Sequence, residues 1–424
     1  MKFSIIKSDY SGTINVPGSK SHTIRACVFA SIADGESTIT DYLVSSDAES
    51  CLNACKKLGA AVEVMDNQLK IKGLSGRLDN LDTIIDTGNS GTTIRIVTGI
   101  ASLAKNSKIQ LTGDEQIQSR PIQELLNSLN RLGGNAYTLR NNGCPPLIID
   151  KPISGGYTDV ISPTSQFLTS LLVCTPFAEN DTELNVTQLN EKPYVDITLW
   201  WMDRLGIKYD REGYEKFFIP GKQKLSGFKE RIPADFSSAT FFAVAAAVSG
   251  GTIELKGLDF SDPQGDKLVF EILEDMGAEV IRSSEGVFVK GNKLRGGEYD
   301  LNSIPDALPA LAVAACAAEG ESRLANVPQA RLKETDRISV MAAELSRMGA
   351  DIRELPDGLV INGSDLKGAP IEGHRDHRVI MALTIAGSIA DGQTFISTAE
   401  AVNITFPDFP VLMKKCGARL EIID

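Results

Sequence analysis

The stretch CKKLGAAVEV, residues 55–64, closes a helix-patterned segment at Gly59 and opens an alternating one. The same grammar returns in LNRLGGNAYT (129–138), WMDRLGIKYD (201–210), LEDMGAEVIR (273–282), LSRMGADIRE (345–354) and LMKKCGARLE (412–421). The glycines Gly59, Gly133, Gly206, Gly277, Gly349 and Gly417 therefore recur every 68–74 residues. Such a period marks repeated supersecondary units. Each glycine stands where a helix C′ residue takes left-handed backbone, which costs glycine nothing sterically. VEVMDNQLKIKG (62–73) and VIRSSEGVFVKG (280–291) continue with the alternation and polar turn of a hairpin.

A second series runs out of phase with the first. SKSHTIRACVFA (19–30), NSGTTIRIVTGIA (89–101), PTSQFLTSLLVC (163–174), DFSSATFFAVAAA (235–247), PDALPALAVAACAA (305–318) and RDHRVIMALTIAG (375–387) each begin with small polar residues and turn apolar on nearly every face. Helices of that kind are buried. One buried helix, one amphipathic helix and several strands make a unit, and six units fill the chain. The expected fold is α/β: two similar domains of three repeated α/β units each, an inside-out α/β barrel, with six helix N-termini facing an interdomain cleft. The charged stretch GKQKLSGFKERIPADFSSA (221–239) marks one crossing, and the first strands belong with the C-terminal half. The expected domains are 1–18 plus 232–424, and 19–231.

At 424 residues the chain is too long for one ordinary core. A net charge of −12 argues against a nucleic-acid surface, which needs a basic stripe. It leaves room for a small anion, because local cations focus the field inside a cleft. Seven cysteines without a C-x-x-C, and only three histidines (His22, His374, His377), speak against a zinc site. Cys51 and Cys55, four apart on a helix, read as packing, and reduced thiols point to the cytoplasm. No apolar run is long enough to span a membrane, and MKFSIIKSDY is no signal peptide.

The chemistry gathers at the second series. A helix N-terminus carries unpaired N–H groups and about half a positive charge, which attracts anions. Lys20 and Arg25 flank Ser21 at the first start; Asn89, Gly91 and Thr92 open the second; Ser165 and Gln166 open the third; Arg375 and Arg378 sit at the last. Arg120 in SRPI and the run RLKETDR (331–337) add further charge. Taken singly, each is an ordinary helix cap or a solvated charged face. Their coincidence at one phase of a sixfold repeat is what points to a site for acidic ligands.

The set PGSKSHTIR (17–25), GNSGTTIR (88–95), GDEQIQSRPI (113–122), TSQFLTSLL (164–172), KPYVDIT (192–198), DFSSA (235–239), PDALPALA (305–312), KETDR (333–337), DHR (376–378) and FPDF (406–409) resembles the enolpyruvyl transferases, along the whole chain and in order. It is most similar to their shikimate-pathway branch. The resemblance implies transfer of the enolpyruvyl group of phosphoenolpyruvate to the 5-hydroxyl of shikimate 3-phosphate, with release of phosphate. It implies no cofactor and no metal, since a C–O bond breaks; no nucleic-acid or membrane partner; a cytoplasmic monomer; and inhibition by glyphosate at the phosphoenolpyruvate site.

By the same resemblance, shikimate 3-phosphate is held by Lys20, Ser21, Arg25, Thr164, Ser165, Gln166, Tyr194, Asp306, Gln329 and Lys333. Phosphoenolpyruvate is held by Lys20, Asn89, Gly91, Thr92, Arg120, Gln166, Glu334, Arg337 and Arg378. Asp306 matches the base that takes the hydroxyl proton, Glu334 matches the acid that protonates the methylene carbon, and Lys20 assists.

Three positions depart from the pattern. Thr164 replaces a common Ser and keeps the hydroxyl. Glu191 stands where many members have Ser beside the acceptor phosphate; a carboxylate repels phosphate, so it is expected to point away or to pair with Lys192 or another cation. Ile404 replaces a Lys that contacts phosphoenolpyruvate, so weaker binding of that substrate is expected. These departures keep open a diverged transferase using another phosphorylated alcohol. The sister branch acting on UDP-N-acetylglucosamine carries a reactive Cys in the loop matching GDEQIQSRP, where this chain has none. A non-catalytic anion-binding protein of the same fold would need the cations but not both Asp306 and Glu334.

Overall fold

A computed structural model describes residues 1–423. The chain divides into two compact units. One, the inserted unit, is Gly18–Ile232; the other, the split unit, joins Met1–Pro17 to the residues from Pro233 on. The inserted unit contains α1 (Lys20–Ile32), α2 (Ser46–Lys57), α3 (Gly91–Ala101), α4 (Gln123–Arg131), α5 (Ser165–Cys174) and α6 (Lys192–Arg204). The split unit contains α7 (Phe236–Ser249), α8 (Leu268–Asp275), α9 (Leu308–Cys316), α10 (Arg337–Arg347), α11 (His377–Ile389) and α12 (Phe409–Lys415).

The odd-numbered helices are the apolar ones and form the middle of each unit. In α7 every residue from Phe236 to Ala247 is buried, and in α11 every residue from His377 to Ser388. The even-numbered helices are amphipathic; α4 buries Leu125, Leu126 and Leu129 and leaves Gln123 and Arg131 to solvent. The six period-marking glycines all have positive φ, from 70° at Gly206 to 112° at Gly277, as a C′ residue requires. Cys51 and Cys55 are buried in α2, their thiols directed at the carbonyls of Ile24 and Cys27 on α1. No helix among the described residues is long and apolar enough to cross a membrane.

Six four-stranded sheets, three per unit, lie outside the buried helices. Each repeats one plan: an edge strand runs parallel to a second strand, and two antiparallel strands complete the sheet, as a hairpin in all but the sheet of Lys2–Ile6. In the inserted unit, Lys229–Arg231 pairs parallel with Glu36–Thr40, which pairs with Gln68–Lys72 and through it Ala61–Met65. The last strand of that unit thus returns to its first sheet. The split unit closes by a longer route. Ser11–Asn15 pairs parallel with Thr252–Lys256, placing Ile14 opposite Leu255. Lys2–Ile6 enters the last sheet between Gln393–Ile396 and Arg419–Ile423, placing Phe3 opposite Ile396 and Ile5 opposite Leu420. Alternation sends Phe3, Ile5 and Ile14 inward, where all are fully buried.

Helices α3 and α5 meet at Gly99. A Cβ there would come within 2.5 Å of both the Ser170 carbonyl oxygen and its Oγ. The Ser170 hydroxyl also donates to the Arg95 carbonyl at 2.6 Å, fixing the two helices in register. Alanine favours a helix over glycine by about 1 kcal/mol, but overpacking against a backbone carbonyl costs about 1–3 kcal/mol. Gly99→Ala is therefore expected to be destabilising by roughly 1 kcal/mol net, seen as a lower midpoint in urea denaturation.

Candidate active site

Helix α1 begins after Ser19, whose side chain makes no cap bond. Lys20 is held there by Asp47 in the first turn of α2, with Nζ 3.0 Å from Oδ2. One turn on, Arg25 is buried inside the unit. Its guanidinium donates to Thr198 Oγ1 (2.8 Å), Thr169 Oγ1 (3.3 Å) and the carbonyls of Ser21 (2.9 Å) and Tyr194 (2.8 Å). All four acceptors are neutral. Burial pushes the Arg25 pKa down to about 9, with Tyr194 opposing in part. A desolvated cation held only by neutral groups is stabilised by an anion brought next to it. Tyr194, expected to hold the acceptor, gives its backbone carbonyl to Arg25.

The starts of α3 and α5 are joined by one amide. Gln166 accepts from Arg95 Nη1 through Oε1 (2.7 Å) and donates from Nε2 to Thr92 Oγ1 (3.1 Å). Arg95 also lies over the ring of Phe167, 5.7 Å from its centre. Gly91 opens α3 with Arg120 directly against it, since a Cβ on Gly91 would fall 2.6 Å from Arg120 Nη1. Asn89 donates from Nδ2 to Asp114 Oδ2 (2.6 Å) and to Gln116. In the inserted unit the structure therefore places Asn89, Gly91, Thr92, Arg120 and Gln166 around two helix starts.

Of the placements expected for Glu191, turning away or pairing with Lys192 or another cation, the structure does not have the first. Glu191 is 1% exposed, and its Oε2 accepts from the Ser165 N–H (3.1 Å), Ser165 Oγ (2.9 Å) and Thr164 Oγ1 (3.1 Å). The physical reason is the backbone. Glu191 is the N-cap of α6 in left-handed conformation, φ 59° and ψ 44°, which turns its side chain back to the bare N-terminus of α5. Lys192, the named partner, lies over the Tyr214 ring instead.

In the split unit, the run RLKETDR divides by role. Arg331 and Asp336 pair with each other (2.6 Å), Arg331 holds the carbonyls of Leu355 and Pro356, and Asp336 caps α10 through Ser339 N–H. Lys333, Glu334 and Arg337 serve a different cluster. Arg337 is 1% exposed and reaches Asp306 Oδ1 (2.7 Å), Glu334 Oε2 (2.5 Å) and Asp376 Oδ2 (2.8 Å). Asp306 Oδ2 accepts from Arg378 Nη2 (3.1 Å), and Lys333 Nζ stands 3.8 Å from its Oδ1. Burial alone would lower the Arg337 pKa, but Asp376, Glu334 and Asp306 outweigh it and the net shift is upward. Both oxygens of Asp306 are thus fixed by cations. Gln329 is buried nearby in sequence, its Nε2 donating to the Asn302 carbonyl at 3.0 Å. Arg375 is exposed, its backbone N–H on Thr398 Oγ1.

Ile404 ends the short turn Ala399–Ile404 and packs, half-buried, against the core of the split unit. Several residues that shape the site escaped the sequence reading: Asp47, Arg95, Thr169, Thr198 and Asp376. Arg95 had a signal, since IR interrupts an otherwise apolar helix in GTTIRIV just as in SHTIRAC. The threonines had none, being ordinary helix residues until Arg25 is placed beside them.

One unit thus carries a buried arginine among neutral acceptors, and the other three carboxylates held by one buried arginine. The sequence model of EPSP synthase (3-phosphoshikimate 1-carboxyvinyltransferase) matches residues 6–413. A protein of that name from Acetivibrio thermocellus is 52% identical over 421 residues, covering 99% of both chains. One from Methanococcus vannielii is 41% identical over 424 residues, covering 98% of both. The structure of EPSP synthase from Acinetobacter baumannii superposes with a TM-score of 0.84 at 30% identity, covering 100% of each chain. The chain belongs to the EPSP synthase family.

Asp376 is 0% exposed and holds Arg337 by two bonds, at 2.8 and 3.2 Å, while capping α11. Removing one member of a buried ion network costs about 3–5 kcal/mol. Asp306 and Glu334 remain on Arg337, so Asp376→Asn is expected at about the lower end of that range, read as a fall in the urea midpoint.

Proposed function

We propose that the chain transfers the enolpyruvyl group of phosphoenolpyruvate to the 5-hydroxyl of shikimate 3-phosphate, releasing phosphate, in aromatic amino acid biosynthesis. Membership of the EPSP synthase family supports the reaction. The observation that carries the residue roles is the joining of Asp306 and Glu334 through the buried Arg337. The reaction needs an acid and a base held in fixed relation, and one guanidinium fixes both.

In this proposal Glu334 delivers a proton to the methylene carbon of phosphoenolpyruvate. The acceptor hydroxyl adds to the adjacent carbon as Asp306 takes its proton. The resulting tetrahedral adduct then loses the added carbon-bound proton back to Glu334, its C–O bond to phosphate breaks, and the proton on Asp306 leaves with the phosphate. Arg25, Lys20, Ser21, Thr164, Ser165, Gln166, Tyr194, Gln329 and Lys333 are assigned to the acceptor. Lys20, Asn89, Gly91, Thr92, Arg120, Gln166, Arg337 and Arg378 are assigned to phosphoenolpyruvate. The neutral surroundings of Arg25 support its part, because a phosphate supplies the charge its own partners lack. We assign the enzyme to the cytoplasm as a monomer; seven unpaired cysteines, six of them buried, suit a reducing compartment. The position of Glu191 favours one second reading, an acceptor phosphorylated differently from shikimate 3-phosphate.

Phosphate release from phosphoenolpyruvate is expected with shikimate 3-phosphate and not with UDP-N-acetylglucosamine. Glyphosate at millimolar concentration should suppress it, and Asp306→Ala should lower kcat by at least 100-fold, the scale of losing general base catalysis. Turnover retained in that variant would remove Asp306 from its role. Ile404→Lys supplies a cation where the chain has an apolar anchor and is expected to lower KM for phosphoenolpyruvate by roughly tenfold, the worth of one exposed-to-half-buried charged hydrogen bond. An unchanged KM would show that Ile404 costs the enzyme nothing.

A further inference from the structure

The carboxylate of Glu191 meets the N-terminus of α5 at Thr164 and Ser165, both assigned above to the acceptor and, by the family resemblance, to the turn that takes its phosphate. One oxygen, Oε2, takes the Ser165 N–H, the Ser165 hydroxyl and the Thr164 hydroxyl at 3.1, 2.9 and 3.1 Å. Helix α5 has no side-chain cap of its own: Thr164 is the N-cap residue, and its hydroxyl is turned to Glu191 rather than to the backbone of α5. The carboxylate comes from the N-cap of α6, held in a left-handed conformation that side-chain-bearing residues seldom adopt. Strained backbone, complete burial and three convergent donors make this a built contact. A carboxylate oxygen and a phosphate oxygen are both acceptors and both negative, so they cannot share these donors.

We propose that Glu191 is a tethered occupant of the acceptor-phosphate cradle and determines which anions enter it. The inference rests on the acceptor reading above. The acceptor's phosphate binds only when the Glu191 side chain swings out. Free inorganic phosphate has only the cradle and Arg25 to gain, and the tethered carboxylate excludes it. A substrate that also holds the site by its ring and carboxylate can meet the cost. Competition of this kind multiplies the apparent Kd by the ratio of closed to open states.

The test is calorimetric titration of the whole chain and its Glu191→Ser and Glu191→Gln variants with shikimate 3-phosphate, inorganic phosphate and unphosphorylated shikimate. In Glu191→Ser the Kd for shikimate 3-phosphate and for inorganic phosphate should fall at least tenfold, while that for shikimate stays unchanged. Glu191→Gln keeps the shape and loses the charge, so it should fall in between and decides the matter if the serine variant does not fold. Unchanged or weaker binding of both phosphorylated ligands would overturn the proposal, as would equal tightening of all three. Wild-type protein that ignores shikimate 3-phosphate, beside a serine variant that gains inorganic phosphate, would sink the acceptor reading and leave the tethered occupant standing.

Discussion

A buried helix leaves its first N–H groups without partners, and this chain buries six of them. How each start is satisfied decides what the start can do. Asp235 caps α7 through Ser238, and Asp376 caps α11 through Arg378 and Val379. Ser90 caps α3. Those ends are closed by their own neighbours. Helix α1 has no side-chain cap, and α5 is met by a carboxylate from another helix. Helix α9 likewise has no side-chain cap, so three starts lack one of their own, and two of these carry Lys20, Ser21 and Ser165.

The charges follow a matching division. In the split unit Arg337, Arg378 and Lys333 stand among Asp306, Glu334 and Asp376, so that cluster is balanced within itself. The cluster fixes three carboxylates against one rigid cation. In the inserted unit Arg25 is surrounded by hydroxyls and carbonyls. The cation without a carboxylate partner and the paired acid–base cluster thus lie in different units of the chain. The net charge of −12 is no obstacle, because the field that matters is set by single desolvated groups.

The fold was legible because it is periodic. Six glycines at one spacing and six apolar helices at another specify a unit, and each glycine does take positive φ. The helix starts were legible for the same reason. Partners were not. Nothing in the local pattern around Asp47 or Asp376 tells a helix cap from a group that also anchors a lysine or an arginine elsewhere in the chain. Glu191 shows the limit most plainly. A carboxylate type is legible from the sequence, but its direction depends on a left-handed φ at a non-glycine residue, and no composition rule gives that.

The pairing of Lys2–Ile6 with strands near residues 395 and 421 has a consequence for synthesis. The strand Lys2–Ile6 has no partners until residues 393–423 have been made, whereas the inserted unit is contiguous and complete by Ile232. Domains generally fold as units as they emerge. Phe3 and Ile5 each contribute about 1.5–3 kcal/mol when buried, and that contribution arrives last. The nascent chain therefore carries an apolar N-terminal arm past one finished unit and waits for the other. Any extension that occupies this arm early acts on a core that lies almost four hundred residues away.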